Sequence, residues 1–431
     1  MRKRALVLLE GASNGPLYIQ AAQRLGLHPI TLSADPSQYD YLVGSDCETI
    51  CVDTDNLAAM IQVCSRLSRS ADVAGITSAR ESLYAAVGKL CQHFGLPGPN
   101  PAAVERCCDK FAQRQLLAEC GVPVPAFRFA VDAMGVKDSA TEIDFPVIVK
   151  PAVGIGSSGV RLCRNVDELA EHTDYLLGDH RWQCSPRILV EEFAQGPHYS
   201  VEIMENEVIG IGAADFGDPP HFVCREYIYP AFLTDYRHNR LVDVSLSCLQ
   251  ALGLGWGPKN IDLRWTKLGP VIIEVNPRLA GTPNSQLVKL AYGIDLIAEH
   301  IKLVIGEECT FRQSRSDTAA ARVLIPDRDG ILDTIGGDTR AAAVPGVQEV
   351  KIFIEPGTPI VRKGDERDKI GHVIAASPDL ARTKAILQRA VDLIDWSMTP
   401  IASSRDQDQE AGAHGGVSES SRLHPGSGLT H

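Results

Sequence analysis

Residues 149–160 read VKPAVGIGSSGV, and within them Gly154-Ile155-Gly156-Ser157-Ser158-Gly159 spells G-x-G-x-x-G. Nucleotide loops of several kinds share that spelling, and each needs a different context. A dinucleotide loop turns straight from a strand into a helix whose N-terminus holds a pyrophosphate. Here the residues after Gly159, VRLCR (160–164), read as a second strand. A kinase loop carries its lysine downstream of the glycines, whereas Lys150 precedes them and no H-R-D occurs. A Walker A loop ends in G-K-[ST], which is absent here. What remains is strand, lysine, glycine-rich turn, strand: a hairpin flap. Lys150 offers a cation, and the small residues Gly154, Gly156, Ser157, Ser158 and Gly159 let backbone N–H groups approach phosphate oxygens. The bland alternative is a tight hairpin without chemistry.

A second stretch decides between them. In PVIIEVNPRLAG (270–281), Glu274, Asn276 and Arg278 alternate, so a strand turns all three to one face. Glu and Asn are hard oxygen ligands suited to Mg²⁺, and an arginine beside them can stabilise anionic oxygen at a reacting centre. NIDLRWT (260–266) reads as the partner strand around KLG, with Asp262 as a second carboxylate. Val271, Ile272, Ile273 and Val275 make the strand apolar, so a charged face on it needs a reason.

Outward from these stretches, short apolar strands alternate with helices over residues 1–100, the pattern of a parallel α/β unit. PGPNP (97–101) breaks the chain. A single helix is expected over 101–120, strands at 145–151, 160–164, 187–194, 198–205 and 207–215, and a single helix over 284–304. Short strands and turns from 312 to 398 read as a small β-rich third domain, and the polar, Ser- and Gly-rich 399–431 as a disordered tail.

Composition excludes several classes. With 42 Lys and Arg against 54 Asp and Glu, the chain is net −12, so nothing suggests nucleic-acid binding. No run approaches the ~18 apolar residues of a membrane span. Glu10 interrupts the apolar run after MRKR, so the start reads as a buried strand and not a signal peptide. Twelve scattered cysteines without a C-x-x-C pair read as reduced thiols of a cytoplasmic protein.

FPVIVKPAVGIGSSGV, ILVEEFAQGPHYSVEIM and PVIIEVNPRLAGT, in this order, resemble the ATP-grasp superfamily of carboxylate–amine ligases over about residues 100–305. Within it the chain is most similar to L-amino-acid ligases that make dipeptides. The resemblance implies an α/β class overall: an N-terminal α/β domain, a central ATP-grasp fold of two α+β subdomains (101–311), and the small C-terminal domain. It implies ATP and Mg²⁺, usually two ions, with Mn²⁺ able to substitute. Lys110 and Lys150 would hold the ATP phosphates under the 154–159 flap. Glu191 would meet the adenine amino group, with Glu192, Phe193 and Ala194 forming the hinge. Asp262, Glu274 and Asn276 would hold the metal, and Arg278 the acyl phosphate. Two positions depart from the commoner pattern: His198 stands where the ribose ligand is often Glu, and Asp262 where the first metal ligand is more often Glu.

In similar ligases the stretch equivalent to DFGDPPHFVCREYIYPAFL (215–233) lines the amino-acid pocket, which makes Cys224, Arg225, Glu226 and Tyr227 candidates for substrate recognition. Arg225 would meet a carboxylate and Glu226 an α-amino group. Gly281 and the N-terminus of the helix from 284 would border the same pocket, the latter receiving a carboxylate. Partners are then a small-molecule carboxylate and an amine, with a homodimer compatible with the resemblance. Two alternatives stand beside the ligase: a carboxylase-type or nucleotide-biosynthetic enzyme on the same fold, and a non-catalytic ATP-binding regulator.

Overall fold

The structure is a computed structural model, and it describes residues 3–43, 46–179 and 187–401. The expected tail beyond 401 lies outside the described residues.

The N-terminal unit runs β1 (Arg4–Leu9), α1 (Gly15–Arg24), β2 (His28–Ser33), β3 (Glu48–Cys51), α2 (Leu57–Ser70), β4 (Asp72–Ser78), α3 (Tyr84–Phe94). Its four strands pair in parallel in the order β3-β2-β1-β4. Both faces of such a sheet are covered, which is why RALVLL is apolar throughout and buried beyond Arg4.

The expected helix 101–120 is two helices, α4 (Pro101–Cys108) and α5 (Lys110–Glu119). Asp109 leaves the helical region (φ −88°, ψ 106°), and its carboxylate caps the second helix by accepting from the N–H groups of Phe111 and Ala112. The break puts Lys110 at the first turn of α5. After β5 (Phe127–Ala130) and α6 (Ala133–Ile143) come β6 (Val147–Pro151), β7 (Arg161–Cys163), α7 (Val166–Gly178) and β8 (Ile188–Glu192). They form an antiparallel sheet, β5-β8-β6-β7, with the glycine turn joining β6 to β7 as a hairpin.

Next are β9 (His198–Met204), β10 (Glu207–Asp215), β11 (Glu226–Tyr229), α8 (Asp235–Leu252), β12 (Pro258–Thr266) and β13 (Gly269–Asn276). The expected helix 284–304 is also divided, into α9 (Asn284–Tyr292) and α10 (Leu296–Val304). Gly293, at φ 77°, ends the first, and Asp295 caps the second through the Ala298 N–H. The remainder is β14 (Thr318–Leu324), β15 (Gly330–Gly336), α11 (Asp338–Ala342), β16 (Val347–Ile352), β17 (Pro359–Ile360), β18 (Gly371–Ser377), α12 (Leu380–Val391) and β19 (Asp395–Thr399). Strands β14, β18 and β16 extend an eight-stranded sheet, β13-β12-β9-β10-β11-β14-β18-β16, while β17-β15-β19 pair separately.

One side of the large sheet buries Val201, Ile203, Ile261, Leu263, Ile272 and Val275 against α8, whose Leu241, Val244, Cys248 and Leu252 recur at helical spacing. On the other flank, α9 and α10 share a core with the N-terminal unit: Leu6, Leu8 and Tyr18 pack with Leu287, Leu296 and Ile301. Gly75 lets β4 approach α10, since a Cβ there would lie 2.5 Å from Val304. The described cysteines are all free, and no described helix is long and apolar enough to cross a membrane.

Candidate active site

The site is built on an irregularity in the β12–β13 hairpin. Asp262 pairs with Glu274 and Leu263 with Ile272, so Ile273 is an extra residue on β13. That extra residue changes the phase of the alternation. Ile272 and Val275 both enter the core, while Glu274 and Asn276 turn to the opposite face beside Asp262 and Asn260. Such a bulge leaves backbone groups without ladder partners, and α5 supplies them. Gln113 accepts from Val275 N (3.0 Å) and donates to Val275 O (3.0 Å), and Arg114 donates to Ile273 O.

Arg114 also anchors the end of the site that carries Lys150. Its Nε lies 2.5 Å from one oxygen of Glu191, whose other oxygen lies 2.5 Å from Lys150 Nζ. All three are buried: Arg114 is 1% exposed, Glu191 2% and Lys150 4%. Although burial favours the neutral acid, Arg114 and Lys150 hold Glu191 below the usual carboxylate range. Burial, only partly offset by Glu191, pushes the Lys150 ammonium down to about 8. The expected adenine contact of Glu191 is therefore corrected: both carboxylate oxygens are committed to cations, and the side chain orients Lys150 instead.

Lys110 Nζ bridges the metal-type carboxylate and the flap, 2.6 Å from Glu274 Oε1 and 2.6 Å from the Gly154 carbonyl. Burial works against its charge, but Glu274 and Glu81 outweigh burial and raise its pKa. His198 Nε2 lies 3.2 Å from Asp262 Oδ1, and the ring packs on Phe216 at 4.6 Å between centroids. Asp215-Phe216-Gly217 has a D-F-G spelling, yet Asp215 here caps a turn by accepting from Gly217 N, and the phenyl ring is what faces the site.

These groups line a cavity open to solvent, with about 840 Å³ of empty space including the solvent at its mouth. One end is an apolar slot bounded by Ile148, Phe193, Ala194, Phe216 and Phe222; the other carries Lys110, Lys150, Asp262 and Glu274 under the flap residues Gly154, Gly156, Ser157 and Ser158. Arg264 stacks over Phe193 and Phe222, at 5.5 and 5.6 Å from their centroids. Glu191, Glu192 and His198 also reach the wall. Gly159 borders a neighbouring polar cleft that shares Val160 and Phe216 with the cavity.

Asn276 and Arg278 do not line the cavity. Arg278 donates to Asn276 Oδ1 (3.3 Å) and to the Leu279 carbonyl (3.0 Å), and its Nη2 lies 2.9 Å from Glu81 of the N-terminal unit. Gly281 sits at the same junction, beside Ser13. The four recognition candidates separate. Arg225 lines the polar cleft with its guanidinium against Gly217. Cys224 is 3% exposed, its thiol tied to the Glu226 carbonyl and to Tyr227. Glu226, the first residue of β11, accepts from Nε (3.0 Å) and Nη2 (2.5 Å) of Arg322. Both bonds fall on Oε2, while Oε1 lies 3.8 Å from Lys384 and Glu226 lines the polar cleft, so its pairing with a substrate amine stays a proposal. Sequence reasoning also missed Arg114, Arg264, Phe222 and Glu81. Of these only Glu81 carried a signal, by following β4 at the carboxyl end of a parallel sheet, where ligands gather.

The donor set fits Mg²⁺ by its chemistry. Asp262 and Glu274 face each other across the hairpin, Asn276 follows, and all offer oxygen. Among the described residues no group of three or more His, Cys, Asp or Glu could form a complete cage.

A phosphate role for Lys150, as the resemblance implies, requires its charge, and its cationic fraction falls as pH rises through about 8. Bound polyphosphate raises the pKa again, so binding takes up a proton. The KM for ATP is expected to be flat below pH ~7 and to rise up to about tenfold per unit above ~8. A flat KM across both ranges contradicts a phosphate role for Lys150.

A family model described as "Carbamoyl-phosphate synthase L chain, ATP binding domain" matches residues 109–311, and "L-amino acid ligase C-terminal domain 2" matches 322–399. The uncharacterized protein y4rH of Sinorhizobium fredii is 57% identical over 409 residues, covering 94% of this chain and 86% of that one. Carnosine synthase 1 of Gallus gallus is 32% identical over 237 residues, half of this chain; the match spans only 26% of that protein's length. The crystal structure of an L-amino acid ligase from Bacillus licheniformis superposes with a TM-score of 0.78 at 20% identity, covering 93% of this chain and all of that one, a likeness of fold.

Proposed function

We propose that this chain, which belongs to the ATP-grasp carboxylate–amine ligases, joins the carboxyl group of an amino acid or small polyacid to the amino group of an amino acid. ATP is converted to ADP and phosphate in the process. The observation that carries this reading is a single cavity lined by Lys150, which pairs with Glu191, by Lys110, which pairs with Glu274, by Asp262 across the hairpin from Glu274, and by the glycine flap. The matched spans, 109–311 and 322–399, support treating 1–100, 101–311 and 312–398 as its working units.

A carboxylate does not react usefully with an amine at neutral pH, because oxide would have to leave. Transfer of the γ-phosphoryl group makes an acyl phosphate, from which phosphate leaves as the amine nitrogen bonds to carbon and gives up a proton. Positioning and electrostatics carry the first step. Lys150, held by Glu191, and Lys110, held by Glu274, meet the phosphate oxygens. His198 would reach the ribose, and Phe193 and Ala194 would meet the base through the main chain, with Glu192 beside them. Asp262, Glu274 and Asn276 would hold Mg²⁺, which neutralises phosphate charge; we extend the expectation to two ions and to Mn²⁺ as a substitute. Arg278 would stabilise the acyl phosphate and the tetrahedral intermediate. The end of α9 lies near it, where Asn14 Oδ1, Asn284 Oδ1 and Ser285 Oγ are buried without a partner. Amide oxygens that accept and a hydroxyl that donates suit the ammonium and carboxylate of an amino acid. Arg225, in the adjoining cleft, offers a further cation for an acidic substrate.

The test is phosphate release screened over amino acids and small polyacids, singly and in pairs, with mass spectrometry of the product. Amine-dependent phosphate with a matching amide mass is expected. No such phosphate with any pair refutes the dipeptide reading, and bicarbonate-dependent release would move the chain to carboxylase chemistry. A homodimer in the cytoplasm is part of the proposal, and sedimentation reads the assembly.

A further inference from the structure

The flap is tied down at four places. Lys110 holds the Gly154 carbonyl, and His172 Nε2 lies 2.9 Å from the Gly159 carbonyl. The other two ties come from far along the chain, from the loop between β17 and β18. The Glu366 N–H donates to the Gly156 carbonyl at 3.1 Å, and the Ser158 hydroxyl bonds to the Asp365 carboxylate. The Glu366 side chain lies flat on the flap: its carboxyl atoms are 2.0–2.4 Å from where a Cβ on Gly156 would stand. Gly156 has φ +64°, so conformation and space both require glycine there.

The loop is built to keep that shape. Asp368, 4% exposed, accepts from the N–H groups of Lys363 (2.6 Å) and Gly364 (2.7 Å). Asp365, 1% exposed, accepts from Arg367 N (3.0 Å) and Nε (2.8 Å). The Arg367 side chain reaches Tyr175 on α7, and the His221 ring packs against Gly364. Two of the loop's carboxylates thus fold the loop, and the third residue, Glu366, meets the flap. The flap lacks comparable packing of its own, with Val153 and Ile155 about half exposed. An acyl phosphate survives only where water is excluded, so whatever holds the flap down matters to the yield.

We propose that residues 364–368 are a clasp that positions the flap over the phosphate end of the cavity, with the hydrogen bond from Glu366 N–H to Gly156 O as its catch. The loop between β17 and β18 then governs how well the reacting acyl group is kept from water, a consequence that rests on the ligase reading, whereas the clasp itself does not.

Glu366 opens a short 3-10 turn after Asp365, a position that tolerates proline. Glu366→Pro removes the catching N–H together with the carboxylate; Glu366→Ala removes the carboxylate alone. In the full-length protein without ligands, hydrogen exchange of the flap amides is expected to quicken roughly two- to tenfold in Glu366→Pro and to stay near wild type in Glu366→Ala. Equal exchange in the two variants overturns the clasp. Ser158→Ala, a change on the exposed hairpin, supplies a second reading should the proline variant misfold: faster flap exchange is expected, and unchanged exchange counts against the clasp. In turnover, phosphate released per amide formed is expected near one for wild type and Glu366→Ala and clearly higher for Glu366→Pro. An unchanged ratio overturns the water-exclusion role. If no amide forms with any substrate pair, the ligase reading fails, and the exchange comparison still decides the clasp.

Discussion

Arg278→Ala is expected to lower the rate of amide formation by roughly 10²–10³ in kcat, the usual effect of deleting one donor to a developing oxyanion, with little change in the KM for ATP. The separation follows from where Arg278 lies. It is off the cavity wall, bonded to Asn276 and Leu279 and paired with Glu81, so the slot and both lysines stay intact without it. A confounding effect is foreseeable. Glu81 would lose its salt-bridge partner in a mostly buried place, its side chain being 11% exposed, with the charge of Lys110 offsetting it only in part, and stability would fall. The double variant Arg278→Ala, Glu81→Gln is expected to recover the melting temperature without recovering turnover. Steady-state phosphate release and a thermal melt measure the two effects, and near-normal turnover in either variant removes Arg278 from the chemistry.

Glu191→Gln costs about 3–5 kcal/mol of stability, the range for breaking a buried ion pair from one side. Arg114 and Lys150 would face each other inside the protein with no carboxylate between them. A melting midpoint lower by roughly 10 °C is expected, with weaker ATP binding because Lys150 loses the partner that keeps it charged and in place. The two ways of reading Glu191 differ here. An adenine ligand would change the KM for ATP and leave the melt alone; a melt unchanged within a degree or two would restore that reading.

The local spelling of the chain carried much of the fold. Periodicity and breakers located the parallel strands of residues 1–100, the β6–β7 hairpin and the pairing of 260–266 with 270–276, because each depends on neighbours in sequence. The two helix breaks were harder to see. Asp109 caps α5 with no glycine or proline to mark it, while Gly293 followed by Asp295 was legible as an end and a start. Helix α8 was not expected, although Leu241, Val244, Cys248 and Leu252 recur at helical spacing.

Residue types in order were therefore enough to nominate side chains for phosphate, metal and acyl oxygen. They could not show how those side chains are shared out. Lys150 is committed to Glu191 and Glu226 to Arg322, Ile273 bulges so that Glu274 leaves the core, and Glu366 reaches Gly156 from 210 positions away. Each of these depends on which charge, donor or acceptor meets which across the fold. That is a property of distance in space, where partners close enough to neutralise one another come from strands and loops that the order of residues leaves far apart.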